Sequence, residues 1–295
     1  MIGIELEDTR AIAVRVDDGG VVQARAVETA GGDLTAAAAR ALAATSDGGH
    51  AGVLGVATAV PDSPAIAAAI LSLAPRFDGP FRQHGAMPSG TAAAVAEAWV
   101  GAGRGVHDVV YFGSGDHALG GFVRGGAAVT GARGRASSVA WLALNPVERE
   151  DYRKIGCLEA EVAAPGIVRR LIWRIKAGDN SRVLDKVGGD FAAITVGHVL
   201  EAARERDGVS ISVIRDTAKY LGRAAANLVV VSDPEMLVLG GIMASAADLL
   251  LDPLRSEIAR RLPKPMFDAL RIETAALGED APAIGAARYV SVALP

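Results

Sequence analysis

The chain has 295 residues, enough for two domains with separate cores; its apolar half (51%) holds little aromatic material (4%), so Ala, Val, Leu and Ile must build the interior. A net charge of −4 argues against nucleic acid or an acidic membrane surface as partner. The single cysteine, Cys157, excludes an internal disulfide and fits a reducing cytoplasm, and no apolar run reaches the length of a membrane span.

The chain opens with strand-like alternation and no basic leader, so no signal peptide is expected. Three strands are expected in the first 28 residues: Ile2, Ile4 and Leu6; Ile12, Val14 and Val16; then Val21 to Val27, with Asp18-Gly19 as a hairpin signal. Asp33 caps an alanine-rich helix over Leu34 to Ala44. Ala51 to Val60 has strand length, and Ser63 to Leu73 reads as an apolar helix ending near Pro75. A loop-rich piece over Asp78 to Gly90 precedes a helix from Thr91 through Trp99, closed by Gly101, Gly103 and Gly105.

The stretch Asp108 to Gly121, DVVYFGSGDHALGG, reads as a buried strand (Val109 to Phe112) entering a glycine-rich turn. A second strand at Phe122-Val123 and a turn at Gly125-Gly126 follow. Backbone N–H groups of such a loop can cradle phosphate, yet Asp116 and His117 stand at its tip. Ala127 to Pro146 is irregular. One helix is expected over Cys157 to Ile175, and a stronger one over Ile211 to Val231, with Ile214, Ala218, Leu221, Ala225 and Leu228 on one face. A buried strand at Met236 to Leu239 leads into Gly240-Gly241, followed by a helix over Ala246 to Leu262, a strand over Arg271 to Ala275 and a closing helix over Ala281 to Val290. The chain thus makes a β-rich start twice, at residue 1 and at Asp108. That predicts duplicated mixed-sheet α/β domains around a cleft, where ligands usually bind.

Four pieces carry a family resemblance: EAWVGAGRG (Glu97–Gly105), GCLEAEVAAPGIVRR (Gly156–Arg170), AKYLGRAAANLVVVSDPEMLVLGG (Ala218–Gly241) and ALGEDAPAIGAA (Ala276–Ala287). With the N-terminal strands they resemble, over essentially the whole chain, the ROK family of bacterial sugar kinases and sugar-responsive repressors. The resemblance implies the two-domain actin/hexokinase-like (ribonuclease H-like) fold. It divides the chain into an N-terminal domain over 1–107, joined by the C-terminal helix at about 281–295, and a second domain over 108–280. The repressor branch has an extra N-terminal winged helix; here the first kinase-like strand begins at Met1, so a member without that DNA-binding domain is expected.

The family's active residues fare badly. Its first phosphate loop, D-x-G-G-T-[KN], matches Glu5, Leu6, Glu7, Asp8, Thr9 and Arg10, so two carboxylates stand where glycines admit phosphate. Its second, G-T-G-I-G-G-G, matches Gly115, Asp116, His117, Ala118, Leu119, Gly120 and Gly121. The catalytic Asp of the N-D-A-N helix start, the family's general base, matches Ser89 in the run Pro88 to Thr91, and serine has no basic form near neutral pH. The sugar-binding E-x-x-H pair matches Ser138 and Trp141, and no P-N-L-P-G-W-type sugar loop is found between Val60 and Pro88. Glu159 and the adenosine-side Gly240-Gly241 stay in register, although a Gly-Gly after a strand also serves helix–strand packing. The family's zinc ligands match Trp141, Glu150, Tyr152 and Cys157, one ligand of four, so neither structural zinc nor ATP with magnesium is expected.

The expectation is therefore a sugar-kinase homologue that has lost ATP-dependent phosphorylation and acts as a sensor of a small, sugar-like ligand or as a subunit partner. It would be cytoplasmic, and either a homodimer or in complex with a related kinase. Thr91, Ser138, Trp141 and Glu159 are the candidate ligand residues, with Ser89 at the family's base position. The alternative is a metal-dependent or hydrolytic enzyme using the acidic set Glu5, Glu7, Asp8 and Asp116 with His117 and Glu159. An atypical, glucokinase-like sugar kinase is the weaker alternative. Plain readings stand beside each: Glu7-Asp8 as a solvated turn, Asp116-His117 as a turn-forming pair, and Glu159 as a complement to its helix dipole. Cys157 is then a core residue, Trp141 a packing residue, and His50, His84, His107 and His198 lie on the surface.

Overall fold

The computed structural model of the protein describes residues 1–46, 54–73 and 86–293. The first sheet has the order β3-β2-β1-β4-β5, from β1 (Ile2–Leu6), β2 (Arg10–Val16), β3 (Val22–Thr29), β4 (Leu54–Thr58) and β5 (Met87–Pro88). β1 pairs antiparallel with β2 and parallel with β4. The second sheet repeats this plan as β10-β9-β6-β7-β8, from β6 (Val109–Ser114), β7 (Ala118–Arg124), β8 (Ala127–Ala128), β9 (Met236–Gly241) and β10 (Arg271–Thr274). Here β6 pairs antiparallel with β7 and parallel with β9. The central strands β1, β4 and β6 are buried throughout, which explains why β4 and β6 read as apolar runs; β1 reads as alternating only because the small Gly3 and the buried Glu5 stand between its apolar residues. The duplicated mixed-sheet α/β architecture expected from the sequence is present.

Helices cover these sheets. Asp33 caps α1 (Leu34–Thr45), its carboxylate accepting from the Ala36 N–H at 2.9 Å, and α2 (Pro64–Leu73) packs beside α1. The loop expected up to Gly90 ends earlier: β5 and then α3 (Ser89–Val100) absorb its last residues. The end of α2 near Pro75, and His50 and His84, lie outside the described residues.

Four short helices are additional to those expected: α4 (Glu150–Ile155), α7 (Arg182–Lys186) and α12 (Lys264–Ala269) are too short for a periodic signal, whereas α8 (Val196–Arg204) carries one in Val196, Val199, Leu200 and Ala203. The single helix expected over 157–175 is two, α5 (Cys157–Val162) and α6 (Ala164–Lys176). Pro165 in the first turn of α6 lacks the N–H that would continue α5, so the chain breaks at extended Ala163. The long α9 (Gly208–Ser232) buries the predicted face, and α10 (Ile242–Ser245) and α11 (Ala247–Ala259) follow β9. Among the described residues no helix is long and apolar enough to cross a membrane.

The last helix, α13 (Ala281–Ala293), returns to the first sheet and packs on β1, β4 and α3. Glycine makes this approach close. A Cβ on Gly3 would lie 1.9 Å from the Ala283 carbonyl oxygen, and one on Gly285 would lie 1.7 Å from that of Ala92. Helix α3 in turn packs on β6 and β7, so it touches both halves of the molecule.

Candidate functional site

A cleft of about 600 Å³ opens where the β1–β2 turn, the β6–β7 turn, the start of α10 and the segment after β10 converge. Glu5 lies in the middle of the first sheet, opposite Ile12 and Ala57 on its neighbours, and is only 3% exposed while reaching the cleft wall. Burial pushes its carboxyl up to about 8, and Glu7 adds to the shift. The Ser89 hydroxyl beside it, Arg10 and His117 pull the other way. Glu5 is therefore a neutral acid near pH 7, able to donate a hydrogen bond.

Glu7 also lines the cleft, but its carboxylate is held by Arg10 at 2.6 Å. Arg10 reaches on to Glu279 at 2.8 Å, Glu279 meets Arg25, and Arg25 holds Asp280 at 2.8 Å. This alternating chain ties the β1–β2 turn to the turn that precedes α13. Asp8 and Thr9 are placed differently from the expectation. Both are exposed; Asp8 accepts from the Ser63 hydroxyl at 3.0 Å, and the Thr9 carbonyl accepts from the Ala30 N–H, so neither lines the cleft.

The glycine-rich loop over 113–121 contracts to a tight turn of Gly115, Asp116 and His117, closed by a 2.9 Å bond from the Gly115 N–H to the His117 carbonyl. Strand β7 starts at Ala118, so Gly120 and Gly121 are strand residues. A Cβ on Gly121 would lie 2.0 Å from the Gly90 carbonyl oxygen, and one on Gly90 would lie 2.2 Å from that of Gly120. These glycines let α3 sit on β7, and of the glycines in this stretch Gly113 and Gly115 line the cleft. Gly240 and Gly241 are likewise packed: their Cβ positions would meet the Tyr111 hydroxyl at 2.1 Å and the Ser114 carbonyl oxygen at 2.0 Å. Gly241, at φ +62°, also lines the cleft.

The turn carries the one polar cluster that both sequence signals pointed to. Glu159, in the first turn of α5, accepts from the Ala118 N–H at 3.0 Å and lies 3.2 Å from His117 Nδ1. Glu159 raises the His117 pKa against the opposing effect of burial, with Asp116 and Glu7 adding to it. The imidazole is thus biased toward its charged form.

Ser89 and Thr91, in the first turn of α3, are fully buried, and neither hydroxyl has a hydrogen-bond partner of good geometry. Ser138 is exposed and donates to the Arg135 carbonyl, and Trp141 is 57% exposed; neither lines the cleft. His107 is exposed and His198 caps its own helix α8.

The four zinc-matched positions do not fit a metal. Glu150 pairs with Lys154, the Tyr152 hydroxyl donates to Glu161 at 2.6 Å, Cys157 is a buried core thiol, and Trp141 offers no ligand. The ground is held instead by charge pairs. Glu161, 4% exposed, accepts from Arg149 at 2.9 Å and Arg170 at 2.5 Å, while Asp151 binds Arg149 and Arg169. Both Arg149 and Arg169 lie over the Trp173 ring at 5.1 Å. Among the described residues no group of three or more His, Cys, Asp or Glu is arranged to hold a metal ion.

Sequence reasoning overlooked Glu97, which lies fully buried in α3. Its carboxylate accepts the N–H groups of Ala102 at 2.8 Å, Ala276 at 3.0 Å and Leu277 at 2.9 Å, fixing the segment that forms one wall of the cleft. The available signal was a lone acid inside the otherwise apolar helix AAAVAEAWV.

Two five-stranded mixed sheets of repeated plan facing a common cleft define the actin/hexokinase-like class. Along its whole length the chain superposes on the ROK family glucokinase from Streptomyces griseus solved with glucose and AMPPNP, with a TM-score of 0.78, 23% identity and 99% of each chain covered. The ROK family model matches residues 88–292, and the chain belongs to that family. It is 33% identical over 199 residues to a glucokinase of Halalkalibacterium halodurans and 30% identical over 200 residues to a xylose repressor of Caldicellulosiruptor bescii. These matches take in 65% and 66% of this chain, but only 59% and 48% of the respective relatives.

Proposed function

We propose that this chain is a ROK homologue that no longer transfers phosphoryl groups and uses its cleft to sense a small, polar, sugar-like ligand. The observation that carries the reading is the charge of the cleft wall. Three carboxylates (Glu7, Asp116 and Glu279) and the neutral acid Glu5 face two basic groups, Arg10 and His117, and both basic groups are already paired with carboxylates. A triphosphate placed there meets carboxylates without a free cation. Each like-charge contact at ~4 Å costs about 1 kcal/mol in water and about 4 kcal/mol in a partly desolvated cleft. Phosphoryl transfer depends on cradling that charge and on a positioned base, and the family's base position holds a buried serine hydroxyl. The relatives named glucokinase and xylose repressor both handle sugars, which supports a sugar-like ligand. In this role the chain works as a homodimer or beside a related kinase.

A melting-shift panel of neutral hexoses, amino sugars and hexose phosphates tests the reading. A neutral or amino sugar should raise the melting temperature in a saturable way, with the shift lost in Asp116→Asn at the cleft wall, and no sugar should be phosphorylated when ATP is added. Formation of a sugar phosphate would sink it.

A second reading rests on Glu5. A buried carboxyl at about 8, beside an ion-paired carboxylate at Glu7, has the makings of an acid–base pair for hydrolysis. Release of nitrophenol from nitrophenyl glycosides, abolished in both Glu5→Gln and Glu7→Gln, would favour it; no release would remove it.

A further inference from the structure

Toward the other end of α3 from Ser89 lies a second cavity, of about 530 Å³, away from the acidic cleft. Its floor is Val95, Ala98 and Trp99 of α3; the β7–β8 hairpin forms one wall through Ala127 and Ala128, and α13 forms the other through Arg288 and Val292. The volume falls in the range of small-molecule sites, and so does the pattern of a mostly apolar lining with few polar side chains, here Arg288 and Tyr289. The charged one is Arg288. Its guanidinium lies over the Trp99 ring, 4.7 Å from the centroid. Elsewhere Arg10, Arg25, Arg149 and Arg170 each meet a carboxylate, whereas no ion pair or side-chain hydrogen bond engages Arg288 among the described residues. An arginine stacked by one face on an aromatic ring still has its in-plane N–H donors available, and that edge matches a carboxylate bidentately.

We propose that this cavity binds a small carboxylic acid with an apolar body. The carboxylate would sit on the edge of the Arg288 guanidinium, and the hydrocarbon would lie along Val95, Ala98 and Trp99. Positive charge at the mouth and apolar walls behind it select this class over a sugar, which the cavity offers few polar groups to receive, and over a cation, which Arg288 repels. Because α13 lies on the first sheet and β7–β8 belong to the second, the bound acid touches both halves of the molecule.

The test uses octanoate, octanol and octylamine as matched probes of the full chain, read by tryptophan fluorescence. Octanoate should alter the emission saturably, and Trp99→Phe should remove the change while Trp141 and Trp173 continue to emit. Arg288→Gln should weaken octanoate at least tenfold and leave octanol unaffected. Val292→Glu, at an exposed rim position, should also weaken octanoate by placing a negative charge at the mouth, and its surface location keeps the test open if Arg288→Gln fails to fold. Equal binding of octanoate and octanol, an unchanged octanoate affinity in Val292→Glu, or a response that survives Trp99→Phe would each overturn the proposal.

Discussion

Glu5 makes the sharpest prediction. In the unfolded chain its carboxyl should titrate near the ordinary 4.5, whereas in the fold burial raises it to about 8. Between these values the native state holds a proton that the unfolded state has released. Stability therefore falls as pH rises, by about 1.4 kcal/mol per pH unit for this one group, and the loss levels off above about pH 8. The full effect is about 4–5 kcal/mol, an upper bound that any water entering beside Glu5 would reduce. His117 has a raised pKa and contributes a slope of the same sign, as its stabilisation is present below the ordinary imidazole value and disappears above its folded one. The groups influencing Glu5 (Glu7, Arg10, His117 and Ser89) remain in Glu5→Gln, so the difference between the two proteins isolates Glu5. Urea unfolding at pH 5 to 9 should give similar stabilities at pH 5. The variant should be the more stable protein by several kcal/mol at pH 9. Two curves that stay parallel across this range would refute the reasoning.

Other expectations follow from the same contacts. Replacing Glu159 with Gln removes the main influence raising the His117 pKa, so an NMR titration of the His117 ring should show its midpoint fall. Glu97→Ala removes a fully buried acceptor from the half-buried N–H groups of Ala102 and Leu277 and the more exposed one of Ala276, and should cost about 1–3 kcal/mol in urea unfolding; a change below about 0.5 kcal/mol would mean the segment does not depend on it. Exhaustive chelation should leave the melting temperature unchanged. Glu161→Ala, which leaves Arg170 without a carboxylate and Arg149 with Asp151 alone, should destabilise by about 3 kcal/mol.

The sheets were legible because their strands carry strong local signals. Alternation marks β1, apolar runs bounded by turn residues mark β4, β6 and β9, and Asp33 marks the start of α1. Glycine was harder to read, since a glycine that admits an anion and one that admits a neighbouring backbone look alike in sequence. Gly120 and Gly121 read as a phosphate loop, yet their backbone packs against Gly90 at the start of α3, about thirty residues earlier, with Gly121 facing its carbonyl. The pairing of Glu159 with His117 was legible only as a coincidence of candidates, because 42 residues separate them. Asp8 was misplaced for a simpler reason: neighbouring positions at a strand end point in different directions, and Glu7 took the inward one. The lone acid Glu97 showed in sequence but its backbone partners did not, and the Arg10–Glu279–Arg25 chain was invisible, because each depends on which distant backbone or side chain arrives beside it.

The central claim is that the cleft has lost the charge balance needed to hold a nucleotide triphosphate. Calorimetric titration of the full chain with magnesium ATP, in the presence and absence of glucose, tests it most directly. No saturable heat up to millimolar nucleotide is predicted under either condition. A saturating isotherm with a submillimolar Kd, accompanied by formation of glucose phosphate, would contradict the account.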